Sequence, residues 1–187
     1  MSKVKLIIKC LTNISFVCYP FIIYLSLRYQ EIKLAIFYLA ALFILRLLTL
    51  PNILVSMRWL AKITAFIGLS LLLSSWLFSQ HQILFYYPVM VNVVFLITFG
   101  YSLSQPQTIV EKFARIKDAN LPTKAIKYTR KVTICWCLFF MLNGSIALIT
   151  CLINNLYWWT MYNGLISYIL IGTLMVGEWL IRQQIKQ

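Results

Sequence analysis

Glu178 is the only acidic residue inside an apolar run long enough to cross a bilayer, and Arg182 lies four residues beyond it. On a helix that order, acid first and base at i+4, brings the two side chains together. The bland reading is a helix-end ion pair. A carboxylate in hydrocarbon is costly unless satisfied, so the sharper reading is a proton or substrate-headgroup site, with Arg46 or Lys62 contributed from other helices. Asn143-Gly144 and Asn163-Gly164 are the next candidates, each an amide beside a glycine within an apolar run. Glycine lets helix backbones approach and asparagine hydrogen-bonds across the gap. Both pairs therefore predict helix packing, dimerisation included, or else a polar cavity between their two segments. Ser70 with Ser74, Gly100 with Ser104, and Thr173 with Gly177 repeat the small-xxx-small spacing of packed helices.

Other chemistries find little to work with. His81 is the single histidine and has no carboxylate or cysteine near it in sequence, so neither a base nor a ligand is expected of it. The five cysteines (Cys10, Cys18, Cys135, Cys137, Cys151) stand in apolar runs and read as small packing residues. Cys135 and Cys137, two apart on a helix, point to different faces. Paired carboxylates, GxSxG, HExxH and a P-loop are all missing. No metal ion and no cofactor is expected, and an enzyme would need residues that converge only in space.

The elements that must position these residues are membrane spans. The chain has 187 residues, 61% hydrophobic and 11% charged, with mean hydropathy +0.83. Soluble domains are nearer half apolar and about a quarter charged. Apolar runs predict an all-α integral membrane bundle of six spans, over 6–27, 34–50, 59–79, 83–103, 132–153 and 157–181, in a single domain. Pro20 falls inside the first run and predicts a kink. The second reaches membrane length only if Arg46 snorkels from near its end. Asn154-Asn155 makes the last turn.

Basic residues orient the bundle. The loop 104–131 holds Lys112, Arg115, Lys117, Lys124, Lys127, Arg130 and Lys131, seven of the seventeen Lys and Arg residues. Basic connections stay cytoplasmic. Six spans then put both termini with the loop and leave only Arg28 and Lys33 on the far side. All six tryptophans fall near predicted span ends, where indole favours the headgroup level. Within the loop, Ile109, Phe113 and Ile116 follow helical spacing, with Glu111, Lys112, Arg115 and Lys117 on other faces. A short helix in the cytoplasmic interface is expected there. The net charge of +13 is assigned to anionic lipid headgroups rather than to nucleic acid, since each juxtamembrane Lys or Arg gains roughly 1 kcal/mol at such a surface. A cytosolic protein docked on the basic loop is the other partner weighed, together with a homo-oligomer.

Several landmarks of the second half then fall into a pattern. Lys127-Tyr128-Thr129-Arg130-Lys131-Val132-Thr133, Trp136, Phe139-Phe140, Asn143-Gly144, Tyr162-Asn163-Gly164 and Gly177-Glu178-Trp179 with Arg182 resemble a group of bacterial inner-membrane proteins. Genes of that group often neighbour fatty-acid-synthase-like genes, including aryl-polyene pigment clusters. The same half, from Tyr87 onward, is more distantly similar to the intracellular septation protein A family. That family is usually described with five spans rather than six. The resemblance implies a bacterial inner membrane and a part in cell-envelope or lipid-like product synthesis. Neither group supplies catalytic residues. Three functions are expected, in descending order: a non-catalytic protein supporting synthesis or placement of such a product, a small carrier or flippase for an acyl or polyene lipid, and an acyl-transferring membrane enzyme, disfavoured for want of a base.

Overall fold

A computed structural model describes residues 18–48 and 58–185, and its regular structure is helical throughout. The basic N-terminus, Cys10, Pro51-Asn52, Lys186 and the first half of the 6–27 span lie outside the described residues. Eight α-helices are described: α1 (Tyr19–Arg28), α2 (Ile32–Leu48), α3 (Arg58–Phe78), α4 (Tyr87–Leu103), α5 (Ile109–Lys117), α6 (Thr123–Ile153), α7 (Leu156–Met161) and α8 (Ser167–Ile185). A 3-10 turn, His81–Tyr86, leads into α4, and a π-turn, Tyr162–Ile166, joins α7 to α8.

Four stretches are long and apolar enough to cross a membrane: Arg58–Phe78, His81–Leu103, Thr123–Ile153 and Leu156–Gln183, of 21, 23, 31 and 28 residues. The all-helical membrane architecture expected from composition is present to that extent. The two expected spans at the N-terminal end are less complete. α2 has 17 residues, a rise of roughly 26 Å against a hydrocarbon core of about 30 Å. α1 has 10, and Pro20 occupies its first turn rather than an interior position. There the ring costs no hydrogen bond, because the first N–H groups of a helix have no intrahelical partner.

Local chemistry explains the turns. Asn154 takes a left-handed conformation (φ 53°) and closes α6, a geometry asparagine tolerates better than most residues. Asn155 then caps α7, its Oδ1 accepting from the N–H groups of Tyr157 and Trp158. At the head of α4, Pro88 has no N–H to offer the Leu84 carbonyl, and the Tyr19 hydroxyl donates to that oxygen instead at 2.8 Å.

The core has two parts. One joins α1, α2, α3 and α7 around the 3-10 turn, with Trp159 stacked on Phe85 at 4.6 Å. Here the Phe43 ring lies where a Cβ on Gly68 would be, 2.1 Å from its Cζ, so this glycine is what lets α2 seat on α3. The other is an aromatic stack between α4 and α6, built from Phe95, Phe99, Trp136, Phe139 and Phe140.

Three expectations need correction. Trp159 is fully buried, donating Nε1–H to the Phe85 carbonyl at 3.0 Å, and Trp136 is half-buried in the aromatic stack, so only the other four tryptophans are exposed as a headgroup belt requires. α6 starts at Thr123, not near 132, so Lys124, Lys127, Arg130 and Lys131 ride on a helix rather than a loop. Within the chain the small-residue pairs do not pack as helix contacts: Ser70 and Thr173 are exposed, and a Cβ on Gly100 or Gly177 would meet nothing within 4 Å.

Candidate functional site: a cleft between α6 and α8

The π-turn decides where α8 goes. A π-turn inserts an extra residue into the helical ladder and redirects the helix beyond it, and such turns are frequent at functional sites. Here it is pinned on two sides. Gly164 lies so close to α1 that a Cβ would sit 3.0 Å from the Phe21 ring. Asn163 Nδ2 donates to the Trp159 carbonyl at 2.9 Å and to Thr150 Oγ1 of α6 at 3.2 Å. From this anchor α8 runs beside α6 while touching it sparsely. Between them lies a cavity of about 670 Å³, walled by Val132, Phe139 and Leu142 of α6 and by Leu170, Leu174 and Ile181 of α8. Thr173 and Gly177 face this space, which is why their small side chains have no packing partner.

One end of the cleft is charged. Glu178 Oε1 accepts from Arg182 Nη2 at 2.6 Å and Nε at 2.8 Å, and the Tyr128 hydroxyl donates to the Glu178 carbonyl at 3.2 Å. The carboxylate side chain is 17% exposed and the guanidinium 37%. Lys131 joins the lining from α6. With Glu178 matched by Arg182, the surplus charge at this end is positive, and exposed Lys124, Lys127 and Arg130 continue it along α6. Arg130 also donates to the Leu103 carbonyl at 2.7 Å, tying α6 to the end of α4.

The other end is polar and uncharged. Asn143 Nδ2 donates to Asn92 Oδ1 at 3.0 Å, and the Tyr162 hydroxyl donates to Asn143 Oδ1 at 2.9 Å. Asn92 in turn donates to the Pro88 carbonyl at 2.8 Å. A Cβ on Gly144 would lie 3.0 Å from Asn92 Cβ, so this glycine admits the close α4–α6 approach that the amide pair needs. A second cavity of about 370 Å³ lies on the other flank of α8, touching Tyr19, Tyr87, Asn92, Asn163 and Ser167; Trp136 and Asn143 line both.

The structure thus brings Glu178 and Asn143 to the lining of one space, with Arg182 held beside it through Glu178, but not every expected residue joins them. Asn163 borders the second cavity and serves mainly to hold the π-turn. Arg46, half-buried in the last turn of α2, lines neither cavity, and exposed Lys62 on α3 lines neither. The lysine that shares the cleft lining with Glu178 is Lys131 of α6.

The basic loop folds into α5 and the start of α6. Thr108 caps α5, its Oγ1 accepting from Glu111 N–H at 3.3 Å. Glu111, expected off the face of Ile109, Phe113 and Ile116, is only 3% exposed and is held by Arg115 at 2.7 Å. Arg115 also donates to the Ala119 carbonyl, closing the turn after the helix. Ile109 and Val110 pack inward while Phe113 and Ile116 stay exposed beside Lys112.

Two participants escape sequence reasoning. Asn92 is the sole amide in its apolar stretch, a legible signal. Lys131 reads as part of the loop and not of the cleft. The Thr108–Glu111 spacing is a capping box signature that is also readable. His81 has a hydroxyl neighbour, Ser75 Oγ, 3.3 Å from Nδ1. Ser75 is fully buried, so the contact fastens the turn and offers no nucleophile to a substrate. Among the described residues Cys135 is the one thiol lining the cleft.

Fold and cleft together define an all-helical protein with the length and composition of a membrane protein, opened by a gap between its last two long helices. Comparison with protein-family models, curated proteins and solved structures finds no match.

Proposed function

We propose that this is a non-catalytic bacterial inner-membrane protein that holds an anionic acyl amphiphile in the α6–α8 cleft and serves as its carrier or flippase during synthesis or placement of a lipid-like envelope product. The observation that carries the reading is the cleft itself: apolar walls, with Lys131, Glu178 and Arg182 at one end. Its volume of about 670 Å³ falls in the range of roughly 300–1,000 Å³ common to small-molecule sites. Chain and headgroup would match walls and mouth. An acyl-transferring role has less support, because no base is hydrogen-bonded to Cys135 among the described residues.

The proposal includes six spans with both termini and α5 on the cytoplasmic side. Supporting it is the distribution of Lys and Arg along the chain. The resemblance of the second half to inner-membrane proteins encoded beside fatty-acid-synthase-like and aryl-polyene genes supports the product class. A second reading, a support platform for a cytosolic biosynthetic protein, draws on α5. That helix is capped and fastened to the bundle, yet presents Phe113, Ile116 and Lys112 outward.

The test is a lipid and pigment profile of a deletion strain carrying wild type, Glu178→Gln, or a triple Lys112→Gln, Arg115→Gln, Lys117→Gln variant. The carrier reading expects one amphiphile to be lost or stranded and only Glu178→Gln to fail in restoring it. Failure of the triple variant alone favours the platform. A deletion that changes no product removes both.

A further inference from the structure

Resting on that reading, we infer that the amphiphile carries a second hydrogen-bonding group at the far end of its chain, received by Asn143 and Tyr162. Apolar walls cannot choose a ligand inside a bilayer, since lipid tails are as apolar as leucine. Selection must come from the ends of the cleft, and the inner end is built for it. Asn143 and Tyr162 are 5% and 8% exposed, and both line the cavity. Their mutual bond and the Asn143–Asn92 bond use only part of their capacity. An amide nitrogen has two N–H groups and a phenol oxygen accepts as well as donates. One Asn143 N–H and the Tyr162 acceptor are therefore uncommitted among the described residues.

An unmodified chain end would leave those groups unpaired, whereas a hydroxyl satisfies both, accepting from Asn143 and donating to Tyr162. Sites built to hydrogen-bond a hydroxyl reject analogues that lack it. Reach is consistent with one chain. Lys131 and Asn143 are on the same continuous helix, and their separation along it is about 18 Å, the length of an extended long-chain fatty acid. The ligand class is thus a long-chain acid or phosphate ester with a terminal hydroxyl, or a terminal group that likewise donates and accepts.

The test measures binding of palmitate, α-hydroxypalmitate and ω-hydroxypalmitate to the full chain in nanodiscs. The expected result is that the ω-hydroxy acid binds roughly 3- to 10-fold tighter than the other two, and that Tyr162→Phe narrows the difference while palmitate still binds. Gly177→Leu, which blocks the cleft without touching Asn143, should weaken all three. Equal wild-type affinity for the three acids, with Gly177→Leu still weakening them, overturns the inner-end site and leaves the cleft reading intact. Absence of binding by any of them overturns both. The wild-type comparison decides the matter even if Tyr162→Phe fails to fold.

Discussion

Replacing Gly177 with leucine separates the cleft from the fold. A Cβ at this position meets nothing within 4 Å, and the residue lines the cavity one position before Glu178. The substitution acts in three ways. The helix gains, because glycine is about 0.8–1.0 kcal/mol worse than alanine in a helix interior and leucine ranks close to alanine. Nothing is overpacked at Cβ, so the usual cost of about 1–3 kcal/mol for enlarging a packed residue does not arise there. The side chain projects into the space an acyl chain would occupy, beside Leu174 and Ile181. Gly177→Leu should therefore leave thermal stability unchanged or raise Tm by roughly 2–4 °C per kcal/mol gained, while lowering affinity for a radiolabelled fatty acid at least about tenfold, near 1.4 kcal/mol. Thermal unfolding in detergent and a binding isotherm in nanodiscs measure the two effects separately. An intact fold with wild-type affinity would refute the claim that this cleft is the binding site. A large loss of stability would refute the reading that α8 stands away from α6.

The opposite glycine gives the opposite sign. Gly68→Ala places a methyl 2.1 Å from the Phe43 ring and should destabilise by about 1–2 kcal/mol despite the better helix propensity, read as a lower Tm. In a variant retaining only Cys135, maleimide labelling should slow when a fatty acid occupies the cleft that this thiol lines; labelling that ignores the ligand would contradict the assignment. Asn92→Leu and Asn143→Leu should each cost about 1–3 kcal/mol by stranding the partner amide. The double variant should cost less than the two singles combined, a non-additivity of about 0.5–2 kcal/mol that thermal unfolding of the four proteins would show. Thr108→Ala removes the α5 cap and should cost about 1 kcal/mol, appearing as faster amide hydrogen exchange confined to Ile109–Lys117.

Much of the architecture is written in local pattern. Four apolar stretches of spanning length, the Asn154-Asn155 turn and the helical spacing of Ile109, Phe113 and Ile116 all come from residue type and period, because hydrocarbon demands self-satisfied helices and turns demand particular backbone chemistry. The i to i+4 pairing of Glu178 with Arg182 is equally local, and so is the glycine after Asn143 and after Asn163. What those groups meet is not local. That Asn143 finds Asn92 and Tyr162 depends on how α4, α6 and the π-turn pack, and one amide in a strip of valines does not name its partner. Trp136 and Trp159 look like interfacial anchors in one dimension, yet packing draws both inward. Glu111 looks solvent-facing until α5 folds back on the bundle and Arg115 covers it. The cleft exists because a π-turn, pinned by Gly164 against Phe21 and by Asn163 against Thr150, sends α8 away from α6. No sequence period encodes that divergence. The sequence determined the helices and the polar residues they carry; the tertiary packing decided which of those residues share a cavity, because helix direction after a turn is set by contacts distant along the chain.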